Sequence, residues 1–244
     1  MLELDNVSVR FGGLTAVDNV SLSIDSHDVI GLVGSNGAGK TTLFNAISGL
    51  VRPSTGAIRF NGRDVLRAPM HVRARLGIGR TFQVPQPMHE LTVRENLLVA
   101  QRFGTGNVDQ NKIDDILAFT SLLDKAHRDA ATGLALTELK ALEVAKALAT
   151  EPQLLLLDEV LAGLETSGKR RFMGMLRELH TRFGVGIVMI EHDIETITSL
   201  CPRVAVLNFG RLIADGAPGA VFRDPAVIKS YTGADMGVEG ADDA

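Results

Sequence analysis

Apolar and polar residues alternate over residues 2–9 (Leu-Glu-Leu-Asp-Asn-Val-Ser-Val) and again over Val20-Ser21-Leu22-Ser23-Ile24. A period of two predicts a pair of half-exposed strands, antiparallel to each other. Val29-Ile30-Gly31-Leu32-Val33 is instead a continuous apolar run, suited to a strand buried on both faces. Behind it Leu43, Phe44, Ile47 and Leu50 recur at helical spacing, so this stretch reads strand, loop, helix. Ala57-Ile58-Arg59-Phe60 and the Asn61-Gly62 pair predict a hairpin. Arg73 to Leu76 close a short helix, and Gly77 to Gln83 run extended until Pro85 and Pro87 end any regular element.

From Thr92 to Ala130 the pattern turns helical. Thr92 and Glu95 have capping-box spacing ahead of Leu97-Leu98-Val99. Gly104-Thr105-Gly106-Asn107 breaks the chain, and Ile113, Ile116, Leu117, Leu122 and Leu123 mark a second amphipathic helix. A third carries Leu139, Leu142, Ala145, Leu148 and Ala149 on one face, with Thr137 as its expected N-cap. Four leucines, Leu154 to Leu157, then predict a strand buried in a parallel sheet, and Gly186 to Ile190 predict another. Val204 to Leu207 and Leu212 to Ala214 make a last hairpin about Asn208-Phe209-Gly210. Helical turns follow near 218–222 and 225–231, and a tail from Gly233 is expected to be disordered. No internal repeat is visible.

At 244 residues the chain can bury one large α/β core, with or without a subdomain. A net charge of −4 gives no global reason to expect a nucleic-acid partner. Arg59, Arg63, Arg67, Arg73, Arg75 and Arg80 form a basic region that reads as a solvated face. The single Cys201 excludes an internal disulfide and fits a reducing compartment. The N-terminus has no signal-peptide pattern, and no apolar run approaches the ~18 to 20 residues of a membrane span. Service to a membrane process therefore requires docking onto a separate membrane subunit.

Chemistry enters with Gly34-Ser35-Asn36-Gly37-Ala38-Gly39-Lys40-Thr41-Thr42, which follows the third strand and opens a helix. Its glycines let backbone N–H groups converge on an anion, and the helix points its positive end at the same place. Lys40 adds a charge for the β- and γ-phosphates and the Thr41 hydroxyl a Mg²⁺ ligand, so the loop predicts a nucleoside triphosphate. Asp158 and Glu159 end the leucine strand, where α/β folds place ligands. There Asp158 can bind Mg²⁺ and Glu159 can polarise a water. Glu191-His192-Asp193 end the next core strand; a lone histidine there suits a hydrogen-bonding role, and at this sheet edge His192 could reach a γ-phosphate. Phe11, at a strand end before Gly12-Gly13, suits packing or stacking on a purine equally. Composition says nothing about Gln83.

In this order the motifs resemble the ATP-binding subunit of ABC transporters, over essentially residues 1–232. Arg10-Phe11-Gly12-Gly13-Leu14, Arg80-Thr81-Phe82-Gln83, Leu91 to Leu98, Ile190-Glu191-His192-Asp193 and Asp224 to Tyr231 look most like the branched-chain amino acid importer ATPases. The resemblance implies a RecA-like P-loop core with a parallel sheet, an N-terminal antiparallel β subdomain, and a helical subdomain inserted at about 84–150 that grips the membrane subunit. It makes Phe11 the adenine-stacking aromatic, Gln83 the sensor of Mg²⁺ and γ-phosphate, Glu159 the general base and His192 the γ-phosphate switch. It also implies ATP, Mg²⁺, a second ATPase subunit, permease subunits and, through them, a solute-binding protein, at the cytoplasmic face of the membrane.

Two positions depart from that family. Val160 replaces the usual proline after the catalytic glutamate, a mild loss of rigidity. More seriously, Leu134-Ala135-Leu136-Thr137-Glu138 stands where the family has Leu-Ser-Gly-Gly-Gln, the segment that reaches the γ-phosphate held by a dimer partner. The serine hydroxyl is lost, bulk is added, and Glu138 is expected to bring a negative charge toward phosphate, a repulsion of about 1 kcal/mol or more. An importer ATPase, favoured as a heterodimer, therefore stands beside a catalytically weak regulatory subunit and a non-transport ABC ATPase.

Overall fold

The computed structural model describes residues 1–232; the expectation for 233–244 lies outside them. Among the described residues ten strands form two sheets. In chain order they are β1 (Leu2–Phe11), β2 (Leu14–Ile24), β3 (Val29–Val33), β4 (Thr55–Phe60), β5 (Arg63–Asp64), β6 (Ile78–Arg80), β7 (Leu154–Asp158), β8 (Gly186–Ile190), β9 (Arg203–Asn208) and β10 (Arg211–Gly216). The helices are α1 (Lys40–Ser48), α2 (Met70–Leu76), α3 (Val93–Thr105), α4 (Gln110–Phe119), α5 (Leu136–Ala149), α6 (Thr166–Phe183), α7 (Ile194–Leu200), α8 (Pro218–Val221) and α9 (Pro225–Thr232).

The alternating strands β1 and β2 pair antiparallel in a four-stranded sheet of order β2-β1-β4-β5. The continuous apolar runs make the other sheet, of order β10-β9-β3-β8-β7-β6, in which every pair is parallel except β10 with β9. This is the mixed α/β architecture of a P-loop NTPase. The leucine run of β7 is split between two cores. Leu154 and Leu156 face the layer holding α1 and the antiparallel sheet, and Leu155 and Leu157 face the helices on the other side. Apolar residues at both parities are thus what two-sided burial demands.

After β6 the chain leaves the sheet and returns only at β7, with α3, α4 and α5 between. The Thr92–Glu95 capping box is present in both directions. Other helix ends differ from the sequence expectation. Helix α3 continues through Gly104, which lies so close to Thr150 that a Cβ there would meet its side chain at 2.7 Å, and stops at Gly106, whose φ of +84° caps it. Helix α4 ends at Phe119, leaving Leu122 outside it and Leu123 in an exposed 3-10 turn. Thr137 is not the cap of α5: the helix starts two residues earlier, with Ala135 as N-cap and its N–H donated to the Glu138 carboxylate at 2.9 Å. A glutamate at N3 reached the backbone where the cap residue had no acceptor to offer.

The solvated-arginine expectation also fails at two positions. Arg73 is 1% exposed and donates to the carbonyls of Ala46, Ile47, Leu66 and Ala68 at 2.6, 2.8, 3.2 and 2.9 Å. Burial pushes its pKa down to about 10. Arg80 is buried as well, against Asp158.

Candidate functional site

Because β3, β6, β7, β8 and β9 run parallel, their carboxyl ends share one edge. At the end of β3 the chain turns through Gly34 to Gly39 into α1. Two glycines there are sterically required. Gly34 has φ +147° and a Cβ on it would sit 2.2 Å from the Leu207 carbonyl; Gly39 has φ +103° and would strike the Ala16 carbonyl at 2.4 Å. The Lys40 ammonium folds back onto the carbonyls of Gly34 and Ser35 at 2.7 and 3.0 Å. Burial lowers its pKa, and the charges of Glu159 and Asp158 oppose that.

The loop floors a cavity of about 480 Å³ lined by Phe11, Leu14, Asn36 to Thr42, Glu159, His192 and Phe209. Thr41 is exposed at the start of α1. Across the loop, Gln83 Nε2 donates to Glu159 Oε2 at 2.7 Å, and His192 Nε2 meets Oε1 at 2.8 Å. Both oxygens of Glu159 are therefore aimed by side chains from neighbouring strand ends, on a residue whose φ of +48° is uncommon outside glycine. Asp158 lies beneath, 2% exposed, with Oδ2 accepting from Arg80 Nη2 at 3.0 Å. Its pKa is raised by burial, against the pull of Arg80. Thr41, Asp158 and the Gln83 amide carbonyl are hard oxygen donors and too few to enclose an ion, which suits Mg²⁺ sharing its shell with phosphate and water.

Residues 134–138 do not line this cavity. Ala135 and Leu136 are exposed at the start of α5, and Leu136 borders Gly163. Glu138 does not project outward. Its carboxylate takes the Ala135 N–H and pairs with Lys125 at 2.7 Å, a local cation that opposes its charge.

Sequence reasoning missed Lys140, Arg80, Leu14 and Phe209. Lys140 is 3% exposed and donates to the carbonyls of Gln83 at 2.6 Å and Glu159 at 3.0 Å, tying α5 to both. A lysine on the apolar face of α5, four residues before buried Val144, was the available signal. Arg80 binds Asn45 and Ser48 of α1 as well as Asp158, joining α1 to β7.

The model of the ABC transporter family matches residues 17–162. The chain belongs to the ABC transporter ATPases. A further model, of the branched-chain amino acid ATP-binding cassette transporter, matches residues 211–236. The chain is 35% identical over 250 residues to the high-affinity branched-chain amino acid transport ATP-binding protein BraF of Pseudomonas aeruginosa, covering 96% of this chain and 98% of the relative. LivG of Escherichia coli, of the same description, is 34% identical with the same coverage. Among solved structures, a nucleotide-free ATP-binding cassette from an ABC transporter superposes with a TM-score of 0.85 at 30% identity, covering 96% of this chain and 99% of that one. A cassette in its ADP conformation gives 0.84 at 30%, with the same coverage. This ABC ATPase thus has the activity of its family, ATP hydrolysis.

Proposed function

We propose that this ABC ATPase powers an importer of branched-chain amino acids or similar small polar solutes. It works at the cytoplasmic face of the membrane with permease subunits, which a solute-binding protein supplies. The observation that carries this reading is the match of residues 211–236 to the branched-chain amino acid model, beside relatives of that description over nearly the whole chain. No helix among the described residues is long and apolar enough to cross a membrane, in keeping with a docked subunit.

In this reading Phe11 stacks on adenine, and the N–H groups of residues 34–42 hold the phosphates. Lys40 exchanges its two loop carbonyls for phosphate oxygens. Glu159, its oxygens aimed by Gln83 and His192, orients the attacking water and takes its proton. Thr41 and Asp158, with Gln83 beside them, would hold Mg²⁺, which would supply positive charge to offset the phosphates. Lys40→Ala should weaken triphosphate binding; unchanged affinity would sink the loop assignment. Glu159→Gln should retain binding and abolish turnover, and normal turnover would show that the base is another group.

The segment Leu134 to Glu138 favours a heterodimer. It offers no serine hydroxyl, presents the bulk of Leu136, and has already spent the Ala135 N–H on Glu138. Paired with an ATPase of ordinary signature, the chain would complete one good site and one slow one. The isolated chain should bind ATP and hydrolyse it feebly, and the mixture should hydrolyse well. Replacing residues 135–138 by Ser-Gly-Gly-Gln should activate the isolated chain. Brisk hydrolysis by the unmodified chain alone would refute the impaired signature.

A further inference from the structure

Four parallel strands deliver the phosphate loop, Gln83, Glu159 and His192 to one sheet edge. The fifth, β9, ends at that edge in Asn208-Phe209-Gly210. Asn208 pairs with Arg211, so Phe209 and Gly210 alone make the turn, with φ of +44° and +79°. Two positive φ values in a two-residue hairpin define a type I′ turn, whose first position favours asparagine, aspartate or glycine and penalises a residue with a bulky side chain. The molecule holds its own comparison. The turn between β4 and β5 has the same length and signs, φ +51° and +74°, and uses Asn61 and Gly62. Phe209 gains no packing to offset the strain, since it is 83% exposed, the highest value among the large exposed hydrophobic residues described.

Nor is the turn loose. Gly210 N–H donates to the Ala38 carbonyl of the phosphate loop at 2.9 Å, its carbonyl accepts from Asp18 N–H at 2.9 Å, and Arg211 pairs with Asp18 at 2.7 Å. These bonds fasten the hairpin tip to the loop and to β2. They set the Phe209 ring on the wall of the same cavity as Phe11 and Leu14, which come from the tip of the β1–β2 hairpin. A strained, exposed aromatic held by hydrogen bonds at a cavity rim points to a ligand.

We propose that Phe209 is a second aromatic wall of the base end of this cavity and strengthens the binding of a nucleoside triphosphate by contact with the base alone. The inference rests on the cavity being the nucleotide site, and it predicts opposite effects on stability and on binding. Phe209→Asn suits the turn, so Tm should hold or rise by about 2 °C. The same variant should weaken ATP binding roughly 3- to 10-fold, the worth of one aromatic contact. Inorganic tripolyphosphate, which has no base, should bind as before, and Phe209→Tyr should retain the ATP affinity. Calorimetric titration of both ligands against the full chain reads these values. Unchanged ATP affinity in Phe209→Asn, or equal weakening of ATP and tripolyphosphate, would overturn the proposal. Lys40→Ala is the second arm. If it weakens both ligands while Phe209→Asn spares ATP, only the role of Phe209 is lost. If it weakens neither, the nucleotide site itself is misplaced and the proposal goes with it.

Discussion

Glu191 turns its carboxyl inward, 6% exposed, where Leu161 N–H donates to Oε1 at 2.9 Å. Burial pushes its pKa up from 4.5 to about 7, and the charge of Glu159 adds to the rise; the Leu161 bond and the charges of Lys140 and Lys169 oppose it. Between those two pH values the folded chain keeps a proton that the unfolded chain has released. The stability held by that proton is complete below pH 4.5 and is lost as pH rises through 7. Unfolding free energy should fall by up to about 3 kcal/mol across the window. Glu191→Gln keeps the acceptor and deletes the charge, so the variant should be more stable than the parent at pH 8 by about 1 kcal/mol or more. Urea unfolding at pH 5 and pH 8 measures it, and a variant that tracks the parent at both values would exclude the shift. Residues of this kind were not legible in the sequence. Lys40, Glu159 and His192 stand out because a motif fixes their neighbours along the chain. Arg73, Arg80 and Lys140 are held mostly by carbonyls and side chains from distant segments, and only the fold brings those partners together.

At the scale of elements, Arg73 shows what an inserted cation can hold. Its guanidinium spans the last carbonyls of α1, Ala46 and Ile47, and those of Leu66 and Ala68 before α2. A cation at a helix C-terminus also matches the negative end of the macrodipole. Arg73→Met should therefore destabilise the chain by about 3 kcal/mol, because buried carbonyls lose their donors. Arg73→Lys should restore less than half, having no fork to reach four acceptors. Denaturant midpoints decide it; two variants within about 0.5 kcal/mol of the parent would make the network dispensable. Strand identity was the most legible level, since period-two and continuous apolar runs separated the antiparallel from the parallel sheet. Helix ends were the least legible. Thr137 looked like a cap by residue type, but the backbone turned at Ala135, where Glu138 could supply the acceptor.

For the whole molecule, the helical excursion from Val84 to Thr150 is the surface for a membrane subunit in the proposed assembly. Phe103 on α3 is 67% exposed and Val84 69%, apolar groups left open to solvent by the described residues. Phe103→Asp, or charge reversal at exposed Arg102, should lower transport about 10-fold in reconstituted vesicles while ATP hydrolysis in solution stays within about two-fold. Normal transport by both would place the contact elsewhere. The Lys140 pin has a mechanical meaning here. Lys140 grips the Gln83 carbonyl where the excursion begins and the Glu159 carbonyl at the end of β7, while Lys146 takes the Gln86 carbonyl and Glu143 the Gln86 N–H. Helix α5 would thereby act as a lever arm whose fulcrum is Glu159, the residue that orients water in the proposed mechanism. In the proposed assembly a load on the far end of the excursion would be carried through these bonds to Glu159, so stroke and hydrolysis would share one linkage.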